Sequence, residues 1–253
     1  MTDRPRTRLF IESDLASGMA AECSRDQAHY LTHVLRLAPG DPVALFNGRD
    51  GEWLSRIAAV GKKSTTLAVD VQLRPQAPEP DLWLVFAPVK RAPLDFLVSK
   101  ATELGVSALM PAITRRTVVE RVKRERMEAN AIEAAEQCER LTVPHVEDAR
   151  PLSRILEDWP TDRHILLCAE AGEAVPINEF LRGAEGRGEP WAILTGPEGG
   201  FDQTELDLLN KFPNVSAVGL GPRILRADTA ALAALACWQA ALGDWQNRPP
   251  GRN

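Results

Sequence analysis

Positions 74 to 81 read Arg-Pro-Gln-Ala-Pro-Glu-Pro-Asp, three prolines in eight residues. Each proline fixes φ and removes a backbone donor, so the stretch can continue neither a central strand nor a helix interior. It ends one folding unit and precedes another. The apolar period changes across it, and the expected domains are residues 1–74 and 82–247.

Before the break, residues 8–12, 43–46, 52–60 and 65–73 form short apolar or alternating runs, with the turn residues Asn47-Gly48-Arg49-Asp50-Gly51 between two of them. One helix is predicted over 24–36, with Ser24 as N-cap. These elements describe a small barrel-like β domain. After the break, apolar runs at 82–87, 108–113, 164–169, 191–195 and 215–220 alternate with helical patterns, as in a parallel α/β sheet with crossover helices. Helices are predicted over 94–104, stopped by Gly105; over 124–140; and over 227–245, capped by Asp228 or Thr229. The last has little polar surface before Gln239, so it must be buried in its own core or against a second subunit.

Two loops carry the strongest chemical signal. Leu194-Thr-Gly-Pro-Glu-Gly-Gly-Phe201 follows the run 191–195 and precedes a helical run over 203–212. Ligands of open α/β sheets bind beyond the carboxyl ends of strands, where glycines allow close approach to the backbone. The loop lacks the Gly-Lys-Ser/Thr of a P-loop and the GxGxxG spacing of a dinucleotide site. Alone, it is equally well an ordinary turn. Leu220-Gly-Pro-Arg-Ile-Leu-Arg-Ala-Asp-Thr-Ala230 follows the run 215–220 and enters the last helix. It sets Arg223, Arg226 and Asp228 at a helix N-terminus, which favours an anionic or polar ligand. Separately, these side chains also read as solvated charges and a cap.

With 30 Lys/Arg against 35 Asp/Glu, the chain is not a generic nucleic-acid binder. The balance is uneven: residues 1–75 hold 10 basic against 9 acidic side chains, the remainder 20 against 26. An RNA partner must meet local clusters. Arg4, Arg6 and Arg8 form one; Arg115, Arg116, Arg121, Lys123, Arg124 and Arg126 form another, which glutamates between them could instead make a solvated face. Cys23, Cys138, Cys168 and Cys237 are scattered without metal-ligand spacing and read as reduced, mostly buried thiols. His29 and His33, at i and i+4, lack a third ligand and read as part of a helix covering its domain, so no metal is expected. With 44% hydrophobic residues, but no apolar run long enough to span a bilayer and a polar, basic start, the expectation is a cytoplasmic protein without membrane association.

Four segments together are specific: Lys100-Ala-Thr-Glu-Leu-Gly105, Glu136-Gln-Cys-Glu-Arg140, Gly196-Pro-Glu-Gly-Gly200 and residues 220–230. In order and spacing they resemble the motifs of the RsmE family of 16S rRNA uridine N3-methyltransferases. Arg8-Leu-Phe-Ile11 and residues 29–36 are similar to that family's N-terminal RNA-binding domain. The resemblance implies a PUA-like β domain followed by a SPOUT α/β domain with a deep trefoil knot, and a homodimer through the SPOUT domain. It implies S-adenosyl-L-methionine held mainly by backbone of Leu194, Thr195, Gly196, Gly199, Gly200, Leu220, Gly221, Ile224, Leu225, Arg226 and Thr229. The substrate implied is 16S rRNA in the small ribosomal subunit. Where the family commonly has Thr-Glu, this chain has Ala227-Asp228.

Uridine N3 is a poor nucleophile until its proton leaves, so methylation needs a group that stabilises the anion and one that orients the base or takes the proton. Arg226 is expected in the first role, Glu198 or Asp228 in the second. N3 lies on the Watson–Crick edge, so the target must be unpaired; Arg8 and Arg36, with Arg4 and Arg6, are expected to hold its backbone. The alternatives are a SPOUT enzyme acting on another RNA position such as a ribose 2′-hydroxyl, a non-catalytic RNA-binding protein of the same fold, and a nucleotide- or phosphate-binding enzyme.

Overall fold

The computed structural model describes residues 5, 7–61, 64–119, 121–169, 174–184 and 188–247. The chain forms two compact units, Met1–Pro78 with Ala135–Val143, and Glu79–Ala134 with Pro144–Asn253.

The first unit contains β1 (Arg8–Phe10), β2 (Ala20–Glu22), helix α1 (Arg25–His29), β3 (Pro42–Phe46), β4 (Glu52–Val60) and β5 (Thr65–Arg74). Its sheet is open, in the order β1-β3-β4-β5-β2, with β1 parallel to β3 and the other pairs antiparallel. Inward alternation of Val43, Leu45, Ile57, Leu67 and Val69 makes one face of the core, and Ala28 and Leu31 of the helical segment cover it. Ser24 caps α1 through a capping box with Gln27, as expected. The predicted single helix is shorter and changes character: residues Tyr30–Val34 form a π-helical turn. Arg36, beyond it, adopts φ 57°. His29 and His33 stack with ring centroids 4.8 Å apart.

Strand pairing sets Glu52 opposite Arg74, and Arg8 reaches the same carboxylate from β1. Glu52 accepts from Arg8 Nε and, at 2.7 Å, from Arg74 Nε. Burial alone would raise its carboxyl; the bonds from Arg74 and Arg8 hold it below the usual carboxylate range. The remaining donors of Arg8 go to backbone carbonyls, Nη1 to Ala135 at 2.9 Å and Glu136 at 3.0 Å, Nη2 to Arg140 at 2.7 Å. Arg74 Nη2 takes the Glu139 carbonyl at 2.9 Å. The two guanidiniums thus cap the carbonyls of a helix end.

The second unit holds β6 (Leu82–Phe86), α2 (Arg91–Glu103), β7 (Ala108–Ile113), α3 (Arg124–Cys138, whose last four residues belong to the first unit), β8 (His145–Val146), β9 (Arg150–Pro151), α4 (Leu152–Glu157), β10 (His164–Cys168), β11 (Val175–Pro176), α5 (Ile177–Gly183), β12 (Trp191–Thr195), α6 (Gln203–Leu209), β13 (Val215–Gly219) and α7 (Ala227–Ala241). The strands pair in the order β11-β13-β10-β12-β6-β7-β8, all parallel, with β9 beside β7. Central strands such as Leu82–Phe86 and Trp191–Thr195 are apolar along nearly their whole length because helices cover both faces. Gly105 ends α2 at φ +83°, and buried Gln239 of α7 donates to the Leu104 carbonyl at 2.7 Å. At the amino edge, buried Arg163 lies 3.5 Å over the Trp83 ring and donates to Asp81 and to the Trp191 carbonyl.

The expected cap of α7 is corrected: the N-cap is Arg226, in extended conformation, and Asp228 Oδ1 instead accepts from the Thr229 amide at 2.8 Å. Cys23 and Cys168 are buried, Cys237 half-buried and Cys138 exposed. No described helix is long and apolar enough to cross a membrane.

Candidate functional site

The carboxyl ends of β6, β7, β10, β12 and β13 open on one edge of the parallel sheet, so the segments that leave them converge there. Two clefts lie among these segments. The narrower is floored by Cys168 and Ala169 at the end of β10 and by Ala230 of α7. Its walls are Thr195 and Gly196 from the first loop and Leu220, Gly221, Arg223, Ile224 and Leu225 from the second. It encloses about 490 Å³ counted out to open solvent.

The narrow cleft suits a flat heteroaromatic group. Its floor is built of small side chains, and Leu220 and Leu225 offer apolar contact. Among the described residues, the amides of Gly221, Ile224 and Leu225 donate to no protein group. Free backbone donors along an apolar slot can read the edge of a purine without a charged side chain. Gly221 holds φ +98°, which a side chain would strain. A Cβ on Gly196 would come 2.9 Å from the Phe201 ring. Burial pushes the Cys168 thiol up to about 12, so the floor is neutral and unreactive.

The wider cleft, about 1490 Å³ to open solvent, shares Ile224, Leu225 and Ala227 with the first. Glu198, Arg226 and Asp228 line it together, with Gly199 and with Lys90, the N-cap of α2. Arg116, Val118 and Val119 of the segment after β7 line it too. Glu198 and Arg226 are exposed and Asp228 half-exposed, so the charged groups face space. Ile224 is 88% exposed, an apolar side chain standing between the two clefts.

Thr195, Gly196, Leu220, Gly221, Ile224 and Leu225 line the narrow cleft, whereas Gly199 and Arg226 line the wide one. The Leu194 side chain is buried in the core, leaving only its backbone to face a ligand. Gly200 and Thr229 lie beside the clefts without lining either. Sequence reasoning missed Cys168, Ala169, Lys90 and Val118, all at or just beyond strand ends, where the carboxyl-edge rule points, and had Arg116 only as a member of the second basic cluster.

Arg36 is exposed, while Arg4 and Arg6 lie outside the described residues. Arg8, expected on RNA, is corrected: its side chain is 9% exposed and its donors are taken by Glu52 and three carbonyls. In the second basic cluster, Arg115 faces Asp202, Arg124 pairs with Glu128 and Arg126 with Asp95.

A family model described as an RNA methyltransferase domain matches residues 76–239, and one described as an RNA methyltransferase PUA domain matches residues 24–70. The ribosomal RNA small subunit methyltransferase E of Rickettsia conorii is 37% identical over 231 residues, covering 90% of this chain and 93% of its own. The protein of that name from Bacillus subtilis is 29% identical, covering 90% and 94%. A crystal structure of the same enzyme from Neisseria gonorrhoeae, bound to S-adenosyl methionine, superposes with a TM-score of 0.84 at 26% identity, covering 94% of this chain and 99% of that one. Whole-length similarity, both domain matches and the paired clefts lead to one assignment: this chain belongs to the RNA methyltransferase family of the ribosomal RNA small subunit methyltransferases E.

Proposed function

We propose that this protein methylates N3 of a uridine in 16S rRNA of the small ribosomal subunit, using S-adenosyl-L-methionine. The observation that carries the reading is the pair of clefts sharing the wall Ile224, Leu225 and Ala227. One suits an adenosyl group; the other is wide enough for a nucleotide and carries a guanidinium and two carboxylates. The relatives' names favour ribosomal RNA over the alternative substrates.

When bound, the cofactor supplies an electrophilic methyl group. The chain's own residues do the rest. Backbone of Thr195, Gly196, Leu220, Gly221 and Leu225 holds the donor, with Leu194, Gly199, Gly200, Ile224, Arg226 and Thr229 around it. Arg226, an exposed N-cap free to point into the wide cleft, stabilises negative charge on a uracil carbonyl oxygen as the N3 proton leaves. Glu198 or Asp228 orients the base or takes that proton. Asp228 accepts from the Thr229 amide through Oδ1, which leaves Oδ2 for the base or its proton.

Residues 1–74 form the RNA-binding module, with Arg36, Arg4 and Arg6 on the phosphates, and residues 82–247 the methyltransferase domain, knotted as in the SPOUT class. Two copies pair through α7, whose Leu232, Ala233 and Ala236 are half-exposed although apolar. The enzyme works in the cytoplasm. Arg226→Ala is expected to lower methyl transfer to small subunits by at least roughly 100-fold while calorimetry finds donor affinity within a few fold. Unimpaired turnover by that variant sinks the assignment of Arg226.

A further inference from the structure

The segment after β7 is tied to the first loop more closely than the fold requires. Its turn is closed by the Thr114 amide donating to Thr117 Oγ1 at 2.9 Å. The Arg115 amide donates at 2.8 Å to Glu205 Oε1, while Oε2 of that buried carboxylate accepts from the Asp202 amide at 2.9 Å. Arg115 also lies 3.8 Å from Asp202. Arg116 completes the latch: Nη1 donates to the Gly199 carbonyl at 2.7 Å, beside the Gly-Gly of the donor loop.

Arg116 is exposed and lines the wide cleft with Lys90 and Arg226. Among the described residues, no group takes its Nε or Nη2. A guanidinium is a rigid fork, so one edge can hold a carbonyl while the other meets a phosphate. Val118, 83% exposed, stands at the same rim. Rigid fixing of residues 114–119 to residues 199–205 means that a force on either is felt by the other.

We propose that Arg116 is a positioning residue that couples the two substrates. Through Nη1 it sets the Gly199 carbonyl of the donor loop; through Nε and Nη2 it binds a phosphate of the RNA segment entering the wide cleft. RNA then orders the donor loop, and the donor orders the RNA contact, by the same free energy in both directions. This rests on the methyltransferase reading above.

The test uses the full-length protein, purified small ribosomal subunits and S-adenosylhomocysteine, which occupies the donor site without turnover. In the wild type, saturating subunits are expected to tighten S-adenosylhomocysteine at least roughly fivefold, the lower end of usual coupling. Arg116→Ala should bring the coupling ratio near one, whatever it does to the affinity without subunits. Arg116→Lys keeps the charge but not the fork, and should hold RNA within about threefold while also losing the coupling. A purely structural role would instead lower the Tm and leave the ratio intact. The inference is overturned if either variant keeps the wild-type ratio, or if the wild type methylates subunits without any coupling. Failure of the wild type to methylate would refute the function itself, a separate outcome.

Discussion

Arg8→Ala is expected to damage the first unit's stability, and its effect separates a structural arginine from an RNA-binding one. The substitution removes a side chain that is 9% exposed from a carboxylate that is 3% exposed. It also releases the carbonyls of Ala135, Glu136 and Arg140. Breaking a buried pair usually costs about 3–5 kcal/mol. Arg74 remains on Glu52, so the lower end applies, about 3 kcal/mol. With a urea slope of about 2 kcal/mol/M, the midpoint should fall by roughly 1.5 M. The carboxylate gives the companion effect. Its folded value is lowered, so its stabilisation is complete above the unfolded value and is lost as pH falls through the folded one. The gap in stability between wild type and Glu52→Gln should therefore be widest near neutrality and close below about pH 4. Urea unfolding followed by tryptophan fluorescence and circular dichroism at several pH values measures both. An Arg8→Ala protein with an unchanged midpoint and weakened RNA binding would return Arg8 to the RNA surface.

Two glycines offer simpler checks. Gly105→Ala places a side chain at φ +83° with its Cβ 2.5 Å from Gln239 Nε2, which is committed to Leu104. The cost should be about 2 kcal/mol, lowering the Tm by roughly 4–8 °C in calorimetry. Gly196→Ala must move the Phe201 ring or the donor loop; titration calorimetry should find S-adenosyl-L-methionine weakened roughly tenfold or more.

Strands of the second unit were legible because a strand buried on both faces is a continuous apolar run between breakers, as at Leu82–Phe86 and Trp191–Thr195. The two- and three-residue strands β2, β8, β9 and β11 were not, since pairing with a neighbour, not local pattern, creates them. Helices α4 and α5 were too short for a period, although Pro151 and Pro176 stand at their N-caps. The glycine loops announced a site, but the wall supplied by Lys90 and Arg116 depends on β6 lying beside β12 and β7 beside β6, which only the strand order reveals. Arg8 misled because sequence displays charge and hides burial. Its partners are Glu52, 44 positions away, and carbonyls 127 to 132 positions away.

Methyl transfer to uridine N3, with Arg226 and its neighbours in the wide cleft, can be read directly on the RNA. Small subunits lacking the modification, incubated with this protein and isotopically labelled S-adenosyl-L-methionine, can be digested to nucleosides for mass spectrometry. Labelled 3-methyluridine is expected with the wild type, and its near absence with Arg226→Ala. Label in a 2′-O-methylated nucleoside, or no labelled nucleoside with the wild type, would contradict it.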